Sequence, residues 1–125
     1  MAYEIEVKRT GADSGTLEFT HDGVSVISKC FWDAENRISS GIYSNCSATR
    51  MTTKKDSVTG QNRPGVYLPA ATSPKTGAND IFIHEGPDPS WSDGCIVLPR
   101  DQMMRIWKAV DPKDGRNVTV QVTGI

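Results

Sequence analysis

Alternating apolar and polar residues in the first third of the chain restrict its fold more than any other feature. The segments YEIEVKR (3–9), TLEFTH (16–21) and VSVISKCFW (24–32) place apolar side chains at nearly every second position, the period of a strand with one buried face. Two short segments that contain Gly and Asp, GADSG (11–15) and HDG (21–23), have the composition of tight turns between antiparallel strands. We therefore expect the chain to begin with a meander of strands.

Further short apolar segments continue this pattern. Residues 33–74 are rich in Ser, Thr, Asn, Gly and Lys, so we expect only short strands there, linked by long surface loops. The strands expected after the meander are SGIYSN (40–45), RPGVYLP (63–69), IFIH (81–84) and RNVTVQVTGI (116–125). CIVLP (95–99) fits either a strand or the first turn of a helix.

One segment has the periodicity of a helix instead. DQMMRIWKAV (101–110) carries apolar residues three and four positions apart, as one face of a helix does. These residues are Met103, Ile106, Trp107 and Val110. Asp101 can cap the first turn, and Asp111-Pro112 ends the helix. We expect a mainly β fold with this one α-helix, and residues 1–125 are most simply a single domain.

Charge and hydropathy exclude two classes of function. The formal net charge is −1, and the densest basic stretch, RMTTKK (50–55), is too short for a nucleic-acid footprint. No apolar run approaches the roughly 18 residues that cross a membrane. The first residues, MAYEIEVKRTG, include acids and lack the apolar region of a secretory signal. We expect a protein made in the cytoplasm without a signal peptide, with no nucleic-acid partner and no membrane span.

The three cysteines, Cys30, Cys46 and Cys95, are unevenly spaced and form no Cys-x-x-Cys pair. We therefore expect neither a metal site nor a cofactor. Cys30 follows an alternating strand and is expected to be a small buried apolar residue. Cys46 lies in a segment rich in Ser and Asn, and the sequence leaves open whether these two cysteines pair.

Cys95 differs from the other two cysteines because groups that can activate a thiol lie near it in the chain. His84 precedes it by eleven positions, and an imidazole can take the proton of a thiol. The expected helix downstream would favour the thiolate through its N-terminus. Gly94 lets backbone N–H groups approach a substrate carbonyl, and Ser92 can hydrogen-bond within the turn. The residues alone leave two interpretations open: a catalytic pair, or two strand ends joined by a turn.

Two motifs resemble those of a known family. His84 followed by Ser-Asp-Gly-Cys-Ile (92–96) resembles the signature of the L,D-transpeptidase (YkuD-type) catalytic domain, a histidine and then [Ser/Thr]-x-Gly-Cys-hydrophobic. Upstream, RPGVY (63–67) is similar to the Pro-x-Gly-x-Tyr/Phe strand of that family. The resemblance is strongest over residues 60–110. It implies a mainly β fold, like a sandwich or barrel, and cysteine-dependent acyl transfer on peptidoglycan stem peptides.

The resemblance also implies roles for individual residues. Cys95 would attack the carbonyl of the L-centre residue at its bond to D-Ala, and His84 would act as the base. The N–H groups of Gly94 and Cys95 would stabilise the oxyanion, and Ser92 would support the loop. Transfer to water would make the protein an L,D-carboxypeptidase, whereas transfer to an amine would give a cross-link or D-amino-acid exchange.

The short interval between His84 and Cys95 resembles that of L,D-transpeptidase-related effectors of type VI secretion systems. This implies an antibacterial toxin that is secreted and attacks the cell wall in the periplasm of a target bacterium. An immunity protein and a component of the secretion apparatus would then be its protein partners.

Five further residues are candidates for binding the substrate. An acid in the loop could bind an ammonium group, the aromatic rings could form walls of the cleft, and arginines bind carboxylates in bidentate fashion. These candidates are Asp93, Trp91, Tyr67, Arg100 and Arg50. Each also has an ordinary alternative as a solvated turn residue, a core residue or a surface charge.

Two other functions remain open at this point. A sortase-like cysteine transpeptidase also places a histidine before the cysteine on a β scaffold, but Ser-Asp-Gly-Cys-Ile fits it less well. The other alternative is a non-catalytic β-rich binding or accessory module with a degenerate site. It is favoured by Asp93, where the family usually has His, and by Val97, where Arg or Asn is common.

Overall fold

The computed structural model describes residues 2–92 and 94–124, which fold into a closed barrel of eight strands. The strands are β1 (Tyr3–Arg9), β2 (Ser14–His21), β3 (Val24–Phe31), β4 (Gly41–Lys55), β5 (Asn62–Tyr67), β6 (Phe82–Glu85), β7 (Ile96–Leu98) and β8 (Val118–Gly124). Around the barrel they follow the order β1-β2-β3-β7-β6-β5-β4-β8. Among the described residues there is one α-helix, α1 (Arg100–Ala109), and one short 3₁₀ turn (Pro89–Trp91). The predicted mainly β fold with a helix after the third cysteine is confirmed.

The N-terminal meander sets the register of the barrel. β1 pairs with β2, and β2 with β3, in antiparallel fashion, with Ile5 opposite Phe19 and Phe19 opposite Val26. β8 then closes the barrel between β1, to which it is parallel, and β4, to which it is antiparallel. Alternate apolar residues of these strands face the core, and burying each stabilises the fold by about 2 kcal/mol.

The structure resolves one segment that the sequence left open and corrects the length of one predicted strand. Residues 96–98 form β7, and all three are buried because the strand lies between β3 and β6. The helix therefore begins only at Arg100, with Pro99 at its N-cap, so the prediction that Asp101 caps it is wrong. β4 runs from Gly41 to Lys55, far beyond the short strand expected at 40–45, because pairing with β5 and β8 holds its polar segment extended.

Helix α1 packs against β3, β5 and β6 through Met103 and Ile106, which are buried, and Trp107 donates a hydrogen bond from Nε1 to the Thr49 carbonyl at 2.9 Å. No helix in the described part of the chain is long and apolar enough to span a membrane. Cys30 and Cys46 are buried thiols that are not joined by a disulfide. Burial raises the pKa of Cys30 to about 12 and that of Cys46 to about 11.

Candidate active site

Two adjacent parallel strands position the histidine and the cysteine: His84 lies in β6, and Cys95 directly precedes β7. In the β6–β7 pair, Ile83 lies opposite Ile96, and both point into the core. Because side chains alternate between the faces of a strand, His84 faces away from the core, and Cys95 lies at the start of the neighbouring strand. They line one cavity of about 660 Å³, where His84 is 3% exposed and Cys95 is 7% exposed.

A single hydrogen bond fixes the orientation and the tautomer of His84. Its Nδ1 lies 2.6 Å from the carbonyl oxygen of Glu85, which can only accept a hydrogen bond, so Nδ1 carries the proton of the neutral ring. Nε2 is then left as the acceptor. Burial, helped by the charges of Arg63 and Lys54, lowers the pKa of His84 to about 4, although the Glu85 carbonyl opposes this. The imidazole is therefore neutral at pH 7 and able to accept a proton.

The sulfur of Cys95 lies against backbone groups of the strand beside it. The N–H of Phe82 donates to Sγ at 3.4 Å, and Sγ is 4.0 Å from the carbonyl oxygen of Asp80. A donor aimed at the sulfur favours the thiolate over the thiol. The expectation that the N-terminus of the helix favours the Cys95 thiolate is wrong. β7 separates Cys95 from Arg100, where α1 begins, and the influence of a helix end fades within about one turn.

The turn before Cys95 is closed by a hydrogen bond from Ser92. Its Oγ donates to the Cys95 carbonyl at 2.5 Å. Gly94 has φ +99°, and a Cβ at this position would lie 3.0 Å from Ile81 Cδ1 and 3.3 Å from Ser73 Cβ. The backbone conformation therefore favours glycine here, and the packing leaves little room for a Cβ. Asp93 lies outside the described residues.

Replacing Gly94 by alanine is expected to lower the free energy of unfolding by about 2–3 kcal/mol, since it combines backbone strain with close contacts. Gly77→Ala is the matched control, because Gly77 also has a positive φ, +75°, but has open space where its Cβ would lie. It should cost only about 1 kcal/mol. Urea unfolding measures both variants, and equal losses would show that packing at Gly94 is unimportant.

Two cations in the cavity were not singled out from the sequence. Lys54 and Arg63 both line it. Arg63 belongs to the RPGVY motif, and Lys54 to the basic stretch considered only as a nucleic-acid footprint. The other residues around the cavity are Met51, Thr76, Ala78, Asp80, Ser90, Trp91 and Ser92.

Arg63 and Trp91 form part of the cavity wall. The guanidinium carbon of Arg63 lies 5.2 Å from the centre of the Trp91 ring, and its Nε is 3.6 Å from Glu85 Oε1. The buried Glu85 carboxylate also accepts hydrogen bonds from the N–H and Oγ of Ser57, at 3.0 and 2.8 Å. Glu85 therefore ties the β4–β5 loop to the strand that carries His84. Trp91 is 40% exposed, so part of its ring is available to a ligand.

Three predicted substrate-binding residues lie away from this cavity. Arg100 is held by Asp56 through two 2.8 Å hydrogen bonds, which keep the pKa of Asp56 well below its usual range. Arg50 donates to the Asn62 carbonyl at 2.8 Å and packs over Trp107. Tyr67 packs on Phe82 and donates to the Asn79 carbonyl at 3.2 Å. None of the three is among the described residues that line the cavity, because each is engaged elsewhere.

The low pKa of His84 predicts a specific loss of stability in acid. The ring has a pKa near 6.5 in the unfolded chain and about 4 in the folded chain. Its contribution to the stability of the folded state is therefore complete above pH 6.5 and is lost as the pH falls towards 4. Between pH 7.5 and 5 we expect this ring to cost about 2 kcal/mol of unfolding free energy. Urea unfolding of the wild type and of His84→Gln at both pH values measures it, and an equal acid loss in the two proteins would contradict it.

Comparisons with known proteins agree with this geometry at the level of the family. Neither the curated proteins nor the solved structures gave a match to the chain. The family model of the L,D-transpeptidase catalytic domain, YkuD, matches residues 6–122, which include every strand except the first residues of β1 and the last two of β8. Members of this family are cysteine enzymes of peptidoglycan, so the match favours that function over a sortase-like one. The chain belongs to the YkuD family of L,D-transpeptidase catalytic domains.

Proposed function

We propose that residues 1–125 act as a single catalytic domain that cleaves peptidoglycan stem peptides after the L-centre residue, through an acyl-enzyme on Cys95. The observation that carries this proposal is that His84, in β6, and Cys95, directly before the adjacent β7, line the same cavity. The neutral imidazole, with its proton on Nδ1, supports the role of His84 as the base.

The proposed reaction has two steps. The thiol proton of Cys95 passes to Nε2 of His84, and the sulfur attacks the carbonyl of the L-centre residue, which is diaminopimelate in many Gram-negative walls. The N–H groups of Gly94 and Cys95 stabilise the oxyanion, and Ser92 holds the turn that carries them. When the C–N bond breaks, the amine of D-Ala takes the proton from His84 and leaves. Water or an incoming amine then cleaves the thioester.

One of the candidate substrate contacts, Trp91, is among the described residues of this cavity. Trp91 lines it and is proposed as a wall for the stem peptide. Asp93 remains a proposed ammonium-binding residue on sequence grounds. Arg50, Arg100 and Tyr67 are not proposed again for this role, since their side chains are engaged away from the cavity.

Purified disaccharide-tetrapeptides test this function. We expect mass spectrometry to show the tripeptide and D-alanine from hydrolysis, and a new terminal residue when a second D-amino acid such as D-methionine is added. The balance between the two products separates carboxypeptidase from exchange activity, and a dimeric product would show cross-linking. Unchanged tetrapeptide at high protein concentration would contradict the proposal.

We further propose that this activity serves an antibacterial effector that is secreted and damages the wall in the periplasm of a target cell. The short interval between His84 and Cys95 motivates this proposal. Fusion to a periplasmic export signal should stop the growth of a host bacterium, whereas the Cys95→Ala fusion and unexported protein should not. Normal growth with folded wild-type protein in the periplasm would contradict it. An adjacent gene for an exported protein that restores growth would identify an immunity partner.

A further inference from the structure

Two cations beside the His84–Cys95 pair have polar atoms available to a ligand. Lys54 Nζ makes no hydrogen bond or ion pair with the residues that the structure describes. Arg63 donates from Nε to the Lys55 carbonyl at 3.1 Å. Its terminal nitrogens make no hydrogen bond within the same part of the chain. Both residues line the cavity and therefore border whatever binds there.

An irregularity in strand pairing brings Lys54 to this position. Arg50 pairs with Pro64, and Lys55 pairs with Asn62, so β4 advances by five residues (50 to 55) while β5 advances by two (64 to 62). The extra residues of β4 bulge away from the regular ladder, as such insertions often do beside functional sites. Met51 and Lys54, which both come from this segment, line the cavity.

Arg63 is held in place before any ligand binds. Glu85 lies 3.6 Å from its Nε on one side, and the Trp91 ring lies under the guanidinium. A guanidinium fixed in this way keeps its planar set of donors in one orientation, which suits the two oxygens of a carboxylate. Lys54 adds a second positive charge to the lining of the cavity.

The position of the two cations relative to His84 indicates which substrate carboxylate they meet. Lys54 and Arg63 line the same cavity as His84, and their charges add to the larger effect of burial in lowering the pKa of His84. In the proposed reaction His84 gives its proton to the leaving amine, so the leaving D-residue lies beside the ring. Only the α-carbon separates that amine from the carboxylate of the same residue.

We propose that Lys54 and Arg63 form a specificity site for the free carboxylate of the D-residue that leaves when Cys95 is acylated. The identity of the substrate in this inference rests on the proposed function. The binding of a carboxylate beside Cys95 does not depend on that function. The site selects a residue at the end of its chain, since an amide or a further peptide bond removes the negative charge from this position.

Alkylation of Cys95 tests the carboxylate site without any peptidoglycan. Iodoacetate and iodoacetamide both place a CH₂ on sulfur with loss of iodide, but only iodoacetate carries a carboxylate. Relative to glutathione, Cys95 should favour iodoacetate over iodoacetamide by about tenfold. Lys54→Gln should reduce this preference by about fivefold, because one interacting charge is removed. Peptide mapping reads the label at Cys95 itself.

Lys55→Gln is the matched control for this test. Lys55 is the next residue, carries the same charge and bonds to Asn62 Oδ1 at 2.7 Å on the surface, outside the cavity lining. It should change the preference by less than about twofold. No preference for iodoacetate in the wild type, or equal effects of the two variants, would overturn the proposal.

Tetrapeptides with an acid or an amide at the terminal D-Ala test which carboxylate is bound. Amidation should lower kcat/KM of the wild type by about 10- to 100-fold, and by clearly less in Lys54→Gln, since the two changes remove the same contact. An equal effect of amidation in both proteins would overturn the assignment to the leaving residue. If no tetrapeptide is cleaved but the Lys54-dependent preference for iodoacetate persists, the proposed function fails and the carboxylate site stands.

Discussion

Replacing Cys95 by alanine is expected to lower the rate of stem-peptide cleavage by at least about 10³-fold, because no other group can form the acyl-enzyme. Cys95→Ser should be nearly as inactive. A hydroxyl gives up its proton far less readily than a thiol, and burial holds the pKa of its partner His84 at about 4, which makes the imidazole a weak base. Initial rates of D-Ala release, measured by mass spectrometry, test both variants.

Cys46→Ala is the matched control for this prediction. Cys46 is buried, its Sγ donates to the Tyr43 carbonyl at 3.3 Å, and burial raises the pKa of its thiol to about 11, so it is a poor nucleophile. This variant should keep the wild-type rate per folded molecule, with circular dichroism used to establish the folded fraction. Loss of activity in Cys46→Ala, or its survival in Cys95→Ala, would assign the chemistry to another residue.

The strands and the helix were predictable where a single face is buried, because apolar residues then recur with the period of the strand or helix. β1, β2 and β8 alternate because one face meets the core, and α1 has its apolar residues on the face that packs on the barrel. β7 was ambiguous because it is buried on both faces, so its three apolar residues carry no period. The polar half of β4 was missed because its extended form depends on pairing with β5, where the partner of Arg50 is Pro64, 14 positions further along the chain.

The candidate site was predictable only in part, for a related reason. His84, Ser92, Gly94 and Cys95 lie close together in the sequence, and their motif carries the information. The contacts of the arginines could not be predicted from the sequence, because a guanidinium binds whichever acceptor the fold brings near it. Arg100 pairs with Asp56, 44 positions away, whereas Arg63 reaches the cavity through its place in β5.

Replacing His84 by glutamine is expected to lower kcat/KM for stem-peptide cleavage by about 10² to 10⁴-fold, because the thiol then loses its general base and the leaving amine its proton donor. Alkylation of Cys95 by iodoacetamide at pH 7 should slow as well. In the wild type, the acidic limb of the kcat/KM profile should lie well below pH 6.5, since burial lowers the pKa of His84 to about 4. The kcat/KM profile of His84→Gln should lack this acidic limb.

His21, the other histidine, supplies the control. It separates the loss of a general base from the general effect of losing an imidazole. His21 lies on β2, packs against Tyr3 with ring centres 4.4 Å apart and is outside the described cavity lining. His21→Gln should keep the wild-type rate and the same acidic limb. Rates of tetrapeptide cleavage between about pH 3 and 8, with the folded fraction followed at each pH, measure all three proteins, so that the range extends below the pKa of His84. If His84→Gln retains wild-type activity, or if Cys95 alkylates no faster than a thiol in an unfolded peptide, His84 is not the base. The assembly of β6 and β7 would then hold Cys95 without activating it.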